Sequence, residues 1–305
     1  MAAAAAGEGG ELAERCVSAC PACGGEMRAV GLTMEERASL RRAIYDLAGL
    51  QVKKHARTKW SKMLAKSKNV QGDSAFCSYT TQDQREQLDR FVQWLGNERE
   101  AGNTFTYVVD SANVAYHKGK PWHFSIAQVD VVVRSLEAKG ERPLVVIAEK
   151  YINRIFDRDN ERGRGTFVYM RTPENVEIVR RWHFKKQLYA CSDEASDDWY
   201  WMYASVAFDP EHDGEPPLKV LSNDQTRDHR LSLAEPVPFL RWRTTQLARF
   251  ELSWGMYVPK GYTRKREPSC KVYDPPIVTR DVQRSPSGAW HIPAGAEDDW
   301  LCVDL

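Results

Sequence analysis

The sequence lacks any hydrophobic run long enough to cross a membrane. No stretch of about 18 or more apolar residues occurs in the chain, so we expect no transmembrane helix and no membrane partner. The first fifteen residues lack both the basic start and the apolar centre of a secretory signal, and they are not Arg-rich like a transit peptide. We predict a disordered tail over 1–15. A nuclear, cytosolic or organellar location stays open.

The sequence also has almost no net charge, +1 over 305 residues. Its composition, 42% hydrophobic and 28% charged, is typical of a soluble globular protein with one large domain or two small ones. The charge is unevenly spread, however. Basic clusters lie at 28–68, 171–186, 241–249 and 260–271, and acidic ones at 193–198, 209–215 and 297–299. Basic patches beside an acidic site suit a polyanionic substrate, although solvated helix faces would give the same pattern.

Cysteine is too sparse and too irregular for a disulfide framework. The seven cysteines are an odd number in a chain without an export signal. Cys20 and Cys23 form a CxxC pair, which is typical of zinc ligands. The alternatives are a redox pair or a spacing that arose by chance. Cys16 is a rival ligand. Three further cysteines are predicted to be unliganded: Cys77, Cys191 and Cys270.

No internal repeat occurs, and in particular no array of helical hairpins of about 34 residues. Instead, short β-branched runs alternate with helical periodicity. We predict strands at 105–109, 143–148, 218–221 and 249–252, and helices at 33–69, 80–99, 125–139 and 196–208, with Ser196 as a cap. The segment 173–186 is mixed, and the chain after about residue 254 is Pro-rich and irregular. This alternation predicts an α/β fold with a parallel sheet flanked by helices on both faces.

Three acidic motifs lie at the ends or starts of these elements. Asp110 follows one predicted strand, Asp224 follows another, and Asp197 with Asp198 opens a helix. Taken singly, each has an ordinary explanation, as a turn residue or as a helix-start carboxylate. Together they predict a cluster that binds Mg²⁺ or Mn²⁺, because hard cations prefer oxygen ligands. Two such ions can hold the attacking and leaving oxygens of a phosphodiester hydrolysis.

Four motifs in order, VVDSANV, DDWYWMYA, SNDQTRDH and WHIP with a terminal Cys, resemble the nuclease portion of protein-only RNase P. The resemblance implies an NYN fold, related to PIN and FLAP nucleases. It implies an Mg²⁺- or Mn²⁺-dependent endoribonuclease that cleaves precursor tRNA, removes the 5′ leader and leaves a 5′-phosphate. The residues that match the family's catalytic acids are Asp110, Asp197, Asp198 and Asp224, followed by Asp228 and His229. His229 could orient water, contact phosphate or serve only as a structural hydrogen-bonding residue.

The resemblance also implies a structural zinc site. Its ligands would be Cys20, Cys23, His291 and Cys302, so that a small zinc-binding domain (16–32 and 255–305) joins both ends of the nuclease domain (33–254, with N-terminal helices). One departure is Ser111, where the family usually has Gly; because Ser is also small, we expect it to be tolerated.

The second departure is that the family's N-terminal pentatricopeptide repeats, which grip tRNA, are not seen here. The segments 28–68 and 180–186 are therefore candidates for phosphate contact, and a protein partner could supply RNA binding. Three aromatic residues could stack on bases or face a core: Trp199, Trp201 and Tyr203. The alternatives to RNase P activity are an NYN-type ribonuclease acting on other structured RNAs and a non-catalytic RNA-binding subunit that needs a partner.

Overall fold

A computed structural model describes most of the predicted domain. The described residues are 17–28, 31–50, 81–117, 124–152, 155–158, 166–169, 172–192, 196–208, 217–226, 236–253, 268–276, 278, 281–294 and 299–304. The predicted tail, part of the basic 28–68 segment, Cys16, Cys77, Asp228 and His229 lie outside these ranges. No helix in the described ranges is long and apolar enough to span a membrane.

A six-stranded sheet forms the centre of the fold, in the order β10-β9-β8-β3-β4-β7. Its strands are β3 (Tyr107–Asp110), β4 (Pro143–Ala148), β7 (Leu188–Cys191), β8 (Lys219–Leu221), β9 (Leu247–Leu252) and β10 (Cys270–Tyr273). The first five are parallel to their neighbours, and β10 pairs antiparallel with β9. Every residue of β3 and β4 is buried, as expected for strands covered on both faces. The predicted α/β class with a parallel sheet is confirmed.

Two groups of helices pack on the sheet. Seven helices are described: α1 (Met34–Leu50), α2 (Thr81–Glu100), α3 (Ser111–Tyr116), α4 (Ile126–Glu137), α5 (Pro173–Phe184), α6 (Asp197–Val206) and α7 (Pro236–Gln246), besides a 3₁₀ turn at Glu149–Tyr151. Helices α1, α2 and α6 contact one another, and α6 lies on β3, β4 and β8. Helix α4 contacts α3, α5 and β4.

Helix α6 is buried on all sides beyond its first turn, because it lies between the sheet and the α1–α2 pair. Trp199, Trp201 and Tyr203 are 2%, 0% and 8% exposed, so they are core residues and are not available to stack on bases. The same packing uses two members of the basic 28–68 segment. Arg37 and Arg41 donate hydrogen bonds to the carbonyls of Ser205 and Ala207 at the end of this helix.

The remaining strands are short. β1 (Val17–Ala19) pairs with β2 (Glu26–Arg28), β5 (Ile155–Arg158) pairs with β6 (Thr166–Tyr169), and β11 (Gln283–Arg284), β12 (Trp290–Pro293) and β13 (Trp300–Val303) form a three-stranded sheet. The expectation of an irregular chain after 254 was wrong, since β10 to β13 lie there. These strands have two to four residues each, too few to show a period in the sequence.

The segment 173–186, read as mixed, contains the regular helix α5. The Thr172 side chain caps it by accepting a hydrogen bond from the Asn175 amide, with Pro173 in the first turn. Helix α7 follows the SNDQTRDH motif, where the sequence indicates a helix start, but its two first-turn prolines hid its extent. The fourth strand, predicted at 249–252, begins at Leu247. Ser196 precedes α6 at the cap position, but its hydroxyl makes no capping bond to the helix backbone.

A buried carboxylate holds α4 against α5. Asp130 is 4% exposed and forms ion pairs with Arg134 (2.8 Å) and Arg181, and it accepts a hydrogen bond from the Trp182 indole at 3.1 Å. The ion pair with Arg181 also shows that this member of the predicted 180–186 phosphate-contact segment has a structural role.

We predict that Asp130→Ala lowers the free energy of unfolding by about 2–4 kcal/mol, because the buried indole N–H and the Arg181 guanidinium lose their acceptor. Urea unfolding measures the change. The exposed Asp281→Ala is the matched control and should change stability by less than about 0.5 kcal/mol. Equal effects of the two substitutions would contradict the structural role of Asp130.

Candidate active site and metal centre

The carboxyl ends of β3 and β8 bring two of the predicted acids together. Asp110 ends β3 and is 3% exposed, and it caps α3 by accepting a hydrogen bond from the Asn113 amide at 3.0 Å. The Ser222 hydroxyl donates to Asp110 Oδ2 at 2.6 Å and accepts from the Asp224 amide at 3.0 Å. One serine therefore couples the positions of both acidic motifs, as expected at the carboxyl edge of a parallel sheet.

A pair of asparagines fixes the loop that carries Asp224. The Asn113 side-chain oxygen accepts a hydrogen bond from the Asn223 amide at 2.9 Å. The Asn223 side chain in turn donates to the Phe250 carbonyl at 2.8 Å and accepts from the Phe250 amide at 3.2 Å, as a strand partner would. The loop is thus hydrogen-bonded both to α3 and to β9, which restricts the backbone position of Asp224.

Helix α6 supplies the other two acids from its first turn. Asp197 and Asp198 are both half-buried, and the Ser196 hydroxyl donates to Asp198 Oδ2 at 3.1 Å. Their charges are felt at Asp110. Burial, then the charge of Asp198, then that of Asp197 raise the pKa of Asp110 well above its ordinary value. A cation among these carboxylates would remove the repulsion.

An open cavity of about 530 Å³ lies at this edge of the sheet. The residues that line it are Asp110, Ala112, Asn113, Tyr116, His117, Asp198 and Asp224. Three of the four predicted acids therefore share one cavity, and the fourth, Asp197, acts on Asp110 through its charge. The carboxylate donors and the room for bound water fit a divalent cation such as Mg²⁺, which keeps several waters when it binds protein.

Sequence reasoning missed the residues that position these acids or line the cavity beside them. Asn113 and Ser222 position the acids, and Tyr116 and His117 line the cavity. The one available signal was that Asn113 and Ser222 lie inside the same motifs as the acids. Ser111, the departure from the family pattern, is fully buried and donates to the Val146 carbonyl at 2.6 Å, so it ties β3 to β4. Asp228 and His229 lie outside the described residues and stay predictions.

A second cluster joins the two ends of the described chain. The side chains of Cys20, Cys23, His291 and Cys302 place their ligand atoms within 4.8 Å of one another. The Cys20 and Cys302 sulfurs are 3.5 Å apart, and His291 Nδ1 lies 3.4 Å from the Cys302 sulfur and 3.8 Å from that of Cys23. A tetrahedron with Zn–S of about 2.3 Å and Zn–N of about 2.0 Å has edges of roughly 3.5–3.8 Å. The arrangement fits a tetrahedral metal of that size.

Local backbone geometry positions the first two cysteines. Gly24 has φ of 73°, and the chain closes a tight turn in which the Gly24 amide donates to the Cys20 carbonyl at 2.8 Å. Gly25 donates its amide to the Cys23 sulfur at 3.4 Å, and a Cβ at Gly25 would lie 3.0 Å from the His291 ring. Opposite the turn, His291 pairs with Cys302 across β12 and β13. His291 is therefore 0% exposed and lies among three sulfurs that come from the β1–β2 turn and from β13, which belong to two separate sheets.

The fold has counterparts among solved structures. Two structures of the nuclear proteinaceous RNase P 2 from Arabidopsis thaliana superpose on 94% and 93% of this chain, with TM-scores of 0.55 and 0.54 at 19% sequence identity. The chain covers 48% and 46% of those proteins. Together with the acidic cavity, this likeness defines the class of fold: an α/β fold with a mostly parallel sheet flanked by helices and with a Cys/His cluster beside it.

Sequence comparison gives the family. The chain is 25% identical over 227 residues to proteinaceous RNase P 3 and 27% identical over 225 residues to proteinaceous RNase P 1, chloroplastic/mitochondrial, both of Arabidopsis thaliana. Each match covers 71% of this chain, which spans about a third of the length of those relatives (33% and 32%). The model of the family described as protein-only RNase P matches residues 67–302, so the chain belongs to the protein-only RNase P family.

We predict that Asp110→Asn stabilises the metal-free protein. Since burial and two neighbouring acids raise the pKa of Asp110, its ionised form opposes folding at any pH above the ordinary carboxyl range, and more so as pH rises towards the raised value. The amide removes that charge while its oxygen can still accept from Asn113. Thermal unfolding in a chelator should show a higher Tm for the variant, with a larger gain at pH 8 than at pH 5. A gain that is equal at both pH values, or a loss, would refute the electrostatic account.

Proposed function

We propose that this chain is a metal-dependent endoribonuclease that removes the 5′ leader of precursor tRNA and leaves a 5′-phosphate. The observation that supports it most is the convergence of Asp110, Asp198 and Asp224 on one cavity in a member of this family. The proposal names Mg²⁺, or Mn²⁺, as the catalytic ion. At this site the ion would activate water and neutralise the leaving oxygen.

Each acid has a distinct part in the proposed mechanism. Asp110 is buried and doubly hydrogen-bonded, so it provides a fixed ligand at the floor of the cavity. Asp224 is exposed, which places its carboxylate on the side from which RNA approaches. Asp197 and Asp198 add negative charge from α6 and would hold the ion against β3. We further propose that Asp228 and His229 orient water or contact phosphate.

We propose that the RNA contacts lie in different places on the fold. Residues 180–186 end α5 and precede β7, whose direction is parallel to β3, so they lie at the opposite edge of the sheet from the acidic cavity. Lys185 there is in an ion pair with Glu137 at 2.6 Å. We therefore propose that this segment contacts RNA only away from the cleavage site. Residues 28–68 and a protein partner that adds RNA grip remain part of the proposal.

We also propose that Cys20, Cys23, His291 and Cys302 bind one structural Zn²⁺. All four positions have nitrogen or sulfur donors, and no fifth position is needed for a closed tetrahedral site. The metal would hold β1–β2 and β12–β13 together. It would also define a zinc-binding domain over 16–32 and 255–305, with the nuclease domain at 33–254, although β10 within the second segment pairs into the nuclease sheet.

We expect accurate 5′ cleavage of a precursor tRNA with Mg²⁺, and a loss of at least about 100-fold in rate for Asp197→Ala and for Asp198→Ala, because metal-held charge contributes several kcal/mol to such reactions. Product ends are mapped by sequencing gels. The exposed Asp281→Ala is the control and should keep full activity. Cleavage of other structured RNAs but not of precursor tRNA would favour a general ribonuclease, and unchanged rates in the α6 variants would exclude the proposed site.

We expect about one tightly bound zinc per chain in elemental analysis, reduced well below that value by Cys20→Ser and by His291→Ala. Cys270→Ser is the matched control, because Cys270 lies in β10 outside the cluster and should leave the zinc content unchanged. The two ligand variants should also lower Tm, since metal-binding energy contributes to folding. A zinc-free native protein, or equal zinc in all variants, would remove this site.

A further inference from the structure

Two arginines reach the Asp224 loop from different elements. Arg249 on β9 donates from one nitrogen to the carbonyls of Ser222 (3.1 Å) and Asp224 (2.8 Å). Arg243, in the last turn of α7, donates to the carbonyl of Gln225 at 3.4 Å. Both arginine residues are half-buried, and both use Nη1 for these bonds, which occupy only part of the five-donor guanidinium fork.

The two positive charges are close enough to affect each other. Burial, and then the charge of Arg243, lower the pKa of Arg249, while the charge of Asp224 acts in the opposite direction. Within the described ranges, neither guanidinium has a carboxylate oxygen within ion-pair distance. A third arginine of the same basic cluster differs: Arg241, two residues from Arg243 on α7, pairs with Glu36 on α1 at 2.6 Å. The basic cluster at 241–249 therefore contains one arginine that pairs with a carboxylate on α1 and two that bind carbonyls of the Asp224 loop.

We propose that Arg243 and Arg249 form a phosphate-binding subsite for the RNA backbone, next to the cleavage site. This inference rests on the proposed function for the class of its ligand. Guanidinium forks match phosphate oxygens in pairs, and two guanidinium groups close enough to repel each other are stabilised by a phosphate bound to both. The loop they hold carries Asp224, so a phosphate bound there lies beside the acidic cavity and sets the register of the strand that is cut.

A purely structural role makes a different prediction. Arginines that only bind loop carbonyls, or that only complement the carboxyl end of α7, stabilise the protein without contacting RNA. The salt dependence of RNA binding separates these roles, because each phosphate contact releases counterions and steepens the dependence of affinity on salt. Arg243 is the better test position, since it contributes a single long hydrogen bond to the loop.

The experiment measures binding of a precursor tRNA with a 5′ leader as a function of KCl concentration, in an Asp198→Asn background that prevents turnover. Arg243→Gln should reduce the slope of log affinity against log salt by about 0.7–0.9. If the variant and the parent bind equally at 1 M salt, this slope change makes the variant bind roughly 5- to 8-fold more weakly than the parent at 0.1 M salt. Arg241→Gln is the matched control with the same loss of charge on the same helix, and it should keep the parent slope. Tm values confirm that both variants are folded.

Three results would overturn the subsite: an unchanged slope in Arg243→Gln, equal slope changes in both variants, or no salt-dependent RNA binding by the parent. Arg249→Gln is a second test of the subsite. We expect it to reduce the salt slope of binding and also to slow cleavage, because the substitution releases the Asp224 loop. The proposed function is judged separately by cleavage with the unmodified chain. A chain that does not cleave but still shows the slope difference would lose the nuclease assignment and keep the phosphate subsite.

Discussion

Mutual repulsion among carboxylates at one edge of the sheet is the constraint on which the rest of the structure depends. Asp110 is buried beside two further acids, so an ionised cluster opposes folding unless a cation is present. The surrounding residues hold the acids in place despite this cost. Ser222 joins Asp110 to the Asp224 loop, and Asn113 and Asn223 join that loop to α3 and β9. The fully buried β3 and β4 provide the rigid floor from which these side chains project.

The parts of the fold that could be predicted from the sequence are those with strong local signals. β4 was placed at its observed ends, and β3 nearly so, because continuous β-branched runs identify strands buried on both faces. The four acids were predicted as a site because they lie at element boundaries. The positioning network was not, because Asn223 pairs with a strand 27 residues later and no local pattern reports that contact. Helix α7 was hidden by its prolines, and β10 to β13 by their shortness.

The two proposed metal sites place opposite demands on the chain. The acidic cavity is open, its carboxylates come from the sheet edge and α6, and Asp224 is exposed to solvent. The Cys/His cluster is compact, with His291 at 0% exposure, and its ligands come from segments that have only a small core of their own, formed by Cys20, Met27, Val278 and Trp300. A core of that size is too small to be stable alone, which is consistent with a cluster that joins the first and last described segments of the chain.

The separation of 282 residues between Cys20 and Cys302 has a consequence for synthesis in the cell. During translation, Cys20 and Cys23 leave the ribosome early, whereas His291 and Cys302 follow only after all six strands of the central sheet have been made. Until then, only two of the four side chains of the cluster are present. Closure of the cluster therefore follows, and cannot precede, synthesis of the central sheet.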